Sequence, residues 1–167
     1  MNKIQPYTKE FLKPCLSLFN TNVPSFFATS EEKLFKKYLA SPNINYYILF
    51  DQYTRLVGCG GYEYEIESKQ MTLTWGMIDS RFHNNGYGRY LTDYRIEKIR
   101  TEYPELNIVL NTSQHTFKFY QKFGFRITKI TKDYYWLGLD RYDMIKVPPQ
   151  INTEVLVGPA GLEPATP

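Results

Sequence analysis

The chain has 167 residues, with 20 Lys+Arg set against 17 Asp+Glu for a formal net charge of +3. That length supports one domain with its own core, and so slight and dispersed an excess of positive charge excludes a nucleic-acid binder. Two distant cysteines, Cys15 and Cys59, exclude a disulfide framework or a CxxC pair. Two histidines, His83 and His115, are too few for a His-built metal site, so no metal is expected.

In chain order, a short strand over Asn2 to Tyr7 is followed by a helix capped by Thr8, with Phe11, Leu12, Cys15, Leu16 and Phe19 at helical spacing. The start Met1-Asn2-Lys3-Ile4-Gln5-Pro6 has no apolar leader and no later run reaches the length of a membrane span, which predicts a soluble cytoplasmic protein without a membrane partner. A loop from Asn20 to Phe27 precedes a second helix, capped by Ser30 with Glu31 and Glu32 in its first turn, that stops near Ser41-Pro42. Asn45–Phe50, Leu56–Tyr62 and Gln70–Ile78 then read as an antiparallel meander. Gly60-Gly61 inside its middle strand marks a bulge, a close backbone approach or a plain weak spot.

The second half alternates. A helix from about Gly88 to Tyr103 carries Gly88, Leu91, Thr92, Ile96, Ile99 and Tyr103 on one face and ends at Pro104. A strand at Asn107–Asn111, a short helix from His115 to Phe123, and strands at Arg126–Thr131 and Trp136–Val147 complete a mixed α+β pattern in which helices flank a central sheet. Residues 1–147 form the domain. The tail 148–167 opens on Pro148-Pro149 and is rich in Pro, Gly and Ala, a composition expected to be disordered and to carry no function.

Two segments carry chemistry. In Asp79-Ser-Arg-Phe-His-Asn-Asn-Gly-Tyr-Gly-Arg-Tyr-Leu91 a strand ends, a loop with Gly86 and Gly88 follows, and an amphipathic helix begins. Such a corner turns tightly and directs unpaired helix N-terminal amides outward, where they suit a pyrophosphate; it can equally be a structural corner. It is neither a dinucleotide fingerprint, because Leu91 stands where the third glycine would be, nor a phosphate-binding loop of the Gly-Lys-Ser/Thr type. The second segment, Asn107 to Phe125, ends a strand in polar residues and carries Tyr120 on a short helix closed by Gly124. Tyr120 reads either as a half-buried packing residue or as a phenol placed to protonate a leaving group.

Together the segments resemble motifs A and B of the GNAT superfamily of N-acetyltransferases. His83-Asn84-Asn85-Gly86-Tyr87-Gly88 matches the Gln/Arg-x-x-Gly-x-Gly/Ala pattern at both glycines, and Phe119-Tyr120-Gln121-Lys122-Phe123-Gly124-Phe125 matches the end of motif B. The meander and the last strand pair extend the resemblance over residues 2–147. It implies a mixed sheet of six to seven strands with four helices, and acetyl-CoA as co-substrate. Cofactor contacts then fall on Met77, Ile78, His83, Asn84, Asn85, Gly86, Tyr87, Gly88 and Arg89, with Asn111 and Ser113 near the cofactor and Tyr120 as the acid toward the CoA thiolate.

The implied reaction is direct transfer of an acetyl group to an amine, on a small molecule, a peptide or a protein, in a ternary complex; a homodimer is left open. The alternative is an acyl-CoA-binding sensor without turnover. The sequence departs from the family pattern at three positions. His83 replaces Gln/Arg, Ser113 stands where Asn is common, and Thr72 occupies the position that often carries a glutamate base. The base is therefore open among Glu65, His115 and Glu63, each of which also reads as an ordinary polar residue. An amide near Met77 or Ile78 is expected to polarise the thioester. Phe26, Phe27, Tyr62, Tyr64, Tyr134, Tyr135 and Trp136 are candidates for the acceptor pocket or for plain packing.

Overall fold

A computed structural model describes residues 1–150; the expectations for the tail beyond Gln150 fall outside these residues. In chain order the elements are β1 (Lys3–Pro6), α1 (Leu12–Thr21), α2 (Glu32–Ala40), β2 (Asn45–Phe50), β3 (Leu56–Glu65), β4 (Gln70–Ile78), α3 (Tyr87–Glu102), β5 (Ile108–Ser113), α4 (Phe117–Gln121), β6 (Arg126–Trp136) and β7 (Leu139–Lys146). The strands form one seven-stranded sheet in the order β1-β2-β3-β4-β5-β7-β6. Every neighbouring pair is antiparallel except β4–β5, which α3 connects as a crossover. This is the mixed α+β architecture expected from the alternation of elements. Among the described residues no helix is long and apolar enough to cross a membrane.

Period-2 side-chain alternation places the core. Along β2, Tyr46 and Ile48 join Cys15, Leu18, Phe19, Phe35 and Leu39 beneath α1 and α2, whereas Tyr47 and Leu49 face the α3 side. All four are buried because both faces of the sheet are covered. On the α3 side, Ile99 packs with Met71, Leu73, Ile108, Leu110 and Met144.

Local differences from the sequence reading have physical causes. Thr8 stands at the N-cap of a 3-10 turn but neither its side chain nor that of Ser30 makes a capping hydrogen bond to a helix. The Thr8 hydroxyl donates to the Glu10 carboxylate, and a 3-10 turn precedes α1. Before α2, the Ala28 N–H donates to Glu31 Oε2 at 2.7 Å, so the glutamate carboxylate reaches back and closes the 3-10 turn ahead of the helix. Trp136 ends β6 instead of opening β7, because Gly138 at φ +85° turns the hairpin immediately after it. The buried face of α3 is Leu91, Thr92, Arg95 and Ile99. A charged residue at the third of these positions is what hydropathy alone passes over.

Candidate active site

The parallel pair β4–β5 is joined at only two register positions, Met71↔Ile108 and Thr72↔Val109, although both strands continue well beyond them. A bulge bends β4 away. Cys59 pairs with Met77 and Gly61 with Thr74, leaving Trp75 and Gly76 without register partners on β3. Trp75 takes φ +43°, and the extra residue kinks the strand. The Gly60-Gly61 pair thus marks a bulge and a close approach: a Cβ on Gly61 would lie 2.3 Å from the Asn45 carbonyl oxygen. The Tyr46 hydroxyl donates to the Trp75 carbonyl at 2.9 Å and holds the kink from beneath. The bulge lies immediately before Met77 and Ile78, the stretch of β4 expected to present an amide to the thioester.

The split opens into a cavity of about 740 Å³ walled by β4, β5, α3 and α4. At one end stands the loop into α3. Asn84 (φ +63°) and Gly86 (φ +80°) are left-handed, and a Cβ built on Gly86 meets nothing within 4 Å. No side chain caps α3. The first intrahelical bond runs from the Tyr90 N–H to the Gly86 carbonyl, so the amides of Tyr87, Gly88 and Arg89 have no intrahelical partner. Together with the macrodipole they favour an anion.

The predicted residues do not all serve alike. Met77, Ile78, His83, Asn84, Gly86, Gly88, Arg89, Asn111, Ser113 and Tyr120 line this one cavity, whereas Asn85 and Tyr87 do not. Asn85 donates its carboxamide to the Phe82 and His83 carbonyls and builds the loop from behind. The Tyr87 ring packs edge-on against Phe82. His83 Nε2 lies 2.9 Å from the Ile78 carbonyl, which also accepts from Asn22 Nδ2 at 2.9 Å, so the imidazole ties the loop to the end of β4. Ser113 is buried, and its hydroxyl accepts the His115 N–H in a local turn. Tyr120 packs edge-on against Phe119 and Phe125 at the cavity wall.

The rest of the wall is mixed. Phe26, Phe27, Tyr135 and Trp136 reach the cavity, and Phe27 stacks on Trp75. Tyr62 does not: it is buried against Tyr47 on the α3 side. Tyr64 and Tyr134 are exposed. Of the three base candidates only Glu63 lines the cavity; Glu65 and His115 do not. Glu63 stands directly across the ladder from Thr72, so both side chains share one face of the sheet. Partial desolvation, then the charge of Glu65, holds the Glu63 carboxyl above the usual carboxylate range.

Sequence reasoning gave Glu31 and Arg95 no place in the cavity, and it gave the expected pocket residue Tyr135 no partner. Glu31 lies on the rim, its carboxyl raised by burial against the lowering effect of the Ala28 N–H. Burial pushes the Tyr135 phenol up to about 12, and its hydroxyl donates to Asn111 Oδ1 at 3.0 Å. Arg95, on the buried face of α3, also reaches the cavity. Of the two unassigned residues only Arg95 had a sequence signal, its helical spacing with Leu91, Thr92 and Ile99. Among the described residues no group of three or more His, Cys, Asp or Glu is placed to hold a metal ion.

These features define a class, an α+β protein whose cavity opens between diverging parallel strands and ends at an uncapped helix N-terminus. Residues 17–147 match the family model described as an acetyltransferase (GNAT) domain, and the chain belongs to that family. Solved structures agree in fold. The ribosomal-protein-S18-alanine N-acetyltransferase from Escherichia coli superposes with a TM-score of 0.74 at 16% identity, covering 93% of this chain and 99% of that one. An aminoglycoside 6′-N-acetyltransferase complexed with coenzyme A gives 0.72 at 17%, covering 89% and 98%. A spermidine N-acetyltransferase SpeG variant from Vibrio cholerae gives 0.68 at 14%, covering 87% and 93%. No curated protein matches the chain at the sequence level.

Proposed function

We propose that the protein transfers an acetyl group from acetyl-CoA to an amine by direct attack in a ternary complex. The observation that carries this reading is the split between β4 and β5 leading to three unpartnered amides at the start of α3. The residues present fit CoA: the open space over Gly86 and the Tyr87, Gly88 and Arg89 amides suit a pyrophosphate. A neighbour of the same fold was solved with coenzyme A. Bound acetyl-CoA supplies the activated thioester.

The chain's own residues then divide the work. A backbone N–H of β4 beside the bulge, in the stretch that runs into Met77 and Ile78, polarises the carbonyl oxygen. Glu63 accepts the proton that the amine loses as its nitrogen bonds to the carbonyl carbon. Tyr120 donates its phenolic proton to the thiolate released as the carbon–sulfur bond breaks. Phe26, Phe27, Trp75, Tyr135 and Trp136 line the amine's approach. The amine can belong to a small molecule, a peptide or a protein.

The test is thiol release from acetyl-CoA across a panel of amines, paired with calorimetric titration of CoA. Turnover on any amine supports the reading. Binding without turnover on every amine returns the protein to the sensor alternative, and absence of CoA binding rejects both.

A further inference from the structure

Arg95 is 2% exposed, yet among the described residues it takes part in none of the ion pairs. Its Nη1 donates to the Gly61 carbonyl and its Nη2 to Thr92 Oγ1, both at the long distance of 3.3 Å, while Nε has no partner. Two of five donors are thus engaged, and weakly. The guanidinium occupies space that two strand glycines leave free. A Cβ on Gly76 would come within 2.7–3.0 Å of it, and one on Gly60 within 3.1–3.2 Å. Arg95, Thr92 and Gly76 all line the cavity. A buried cation held by neutral acceptors alone is costly, and an anion brought by a ligand removes that cost.

The position restricts which anion. At 1.5 Å per residue along α3, Arg95 lies about 13 Å beyond Gly86, so the phosphates of CoA seated at the loop do not reach it. It stands instead beside the bulge, where the acyl group and the amine meet. We propose that Arg95 is the receptor for a carboxylate carried by a substrate, either on the acyl group as in succinyl- or malonyl-CoA, or on the acceptor as in an amino acid. A planar guanidinium matches a carboxylate with paired hydrogen bonds. The carboxylate is a spectator: no bond to it changes, and the transfer balances as written above. The inference rests on the acyltransferase reading.

The experiment measures kcat/KM for acetyl-CoA against succinyl- and malonyl-CoA with one amine, and for amino acids against their amides with one acyl donor. A preference of about 10²-fold or more for the carboxylate-bearing partner is expected in one arm, and that arm identifies its source. In Arg95→Met the preference should fall toward unity, and in Arg95→Lys it should be partly retained. If Arg95→Met does not fold, the wild-type and Arg95→Lys ratios decide. Transfer without preference in either arm overturns the inference and leaves the acyltransferase reading standing, Arg95 then being a packing residue. A preference that survives unchanged in Arg95→Met also overturns it. Absence of CoA binding and of transfer with every pair overturns both.

Discussion

Removing one oxygen separates the two roles open to Tyr120. Tyr120→Phe keeps the edge-on contacts with Phe119 and Phe125 and deletes the donor. Single-turnover rates should drop by about 10²–10⁴-fold with CoA affinity little changed; equal rates would return Tyr120 to packing. Glu63 is tested by pH. Because its carboxyl is raised, the folded chain holds that proton above the usual carboxylate range, so kcat/KM should fall as pH drops through the raised value. Glu63→Gln should lower the rate and erase that acid limb. The same shift acts on stability in the opposite direction. The folded state binds the proton more tightly than the unfolded chain, so Glu63 costs stability as pH rises and the glutamine variant escapes that cost. An unchanged acid limb in the variant assigns the titration to another group, with Glu31 the first to examine.

At the scale of elements, the bulge and the α3 terminus do separate jobs. Gly61 has no room for a side chain, since its Cβ would meet backbone oxygen 2.3 Å away. Gly61→Ala should destabilise the fold by about 1–3 kcal/mol, lowering Tm by several degrees in a scanning measurement. Gly88 is different: its Cβ would make ordinary contacts of 3.5–3.7 Å with Phe119 and Ile78. Gly88→Val should therefore fold while filling the passage between the loop and α4, and calorimetry should show CoA affinity lost by at least about tenfold. Retained affinity in folded Gly88→Val would move the pyrophosphate away from this loop.

At the scale of the whole molecule, a ligand spanning the split joins β4, β5, α3 and α4. Anything that binds only the folded chain stabilises it, by about 2.7 kcal/mol at a hundredfold excess over Kd. For a domain of this size CoA should raise Tm by roughly 5–10 °C, and the shift should vanish in Gly88→Val. A wild-type Tm unmoved by saturating CoA would contradict binding in the split.

By itself the sequence determined what depends on near neighbours. The 3.6-residue spacing in α1 and α3, the runs of β2 and β4, the glycine corner at residues 83–88 and the polar end of β5 are local patterns, and the structure holds them within a residue or two. Only the tertiary structure decided what depends on register and on unequal pairing. That Glu63 stands opposite Thr72 follows from how β3 and β4 align around a bulge, and no spacing within either strand encodes that alignment. That β4 and β5 separate after two pairs follows from the same kink. Helical spacing puts Arg95 on the buried face of α3, but the room that Gly60 and Gly76 leave for it comes from strands distant in sequence. A side chain's periodicity says which way it faces; the charge it meets there is set by three other elements packed against it.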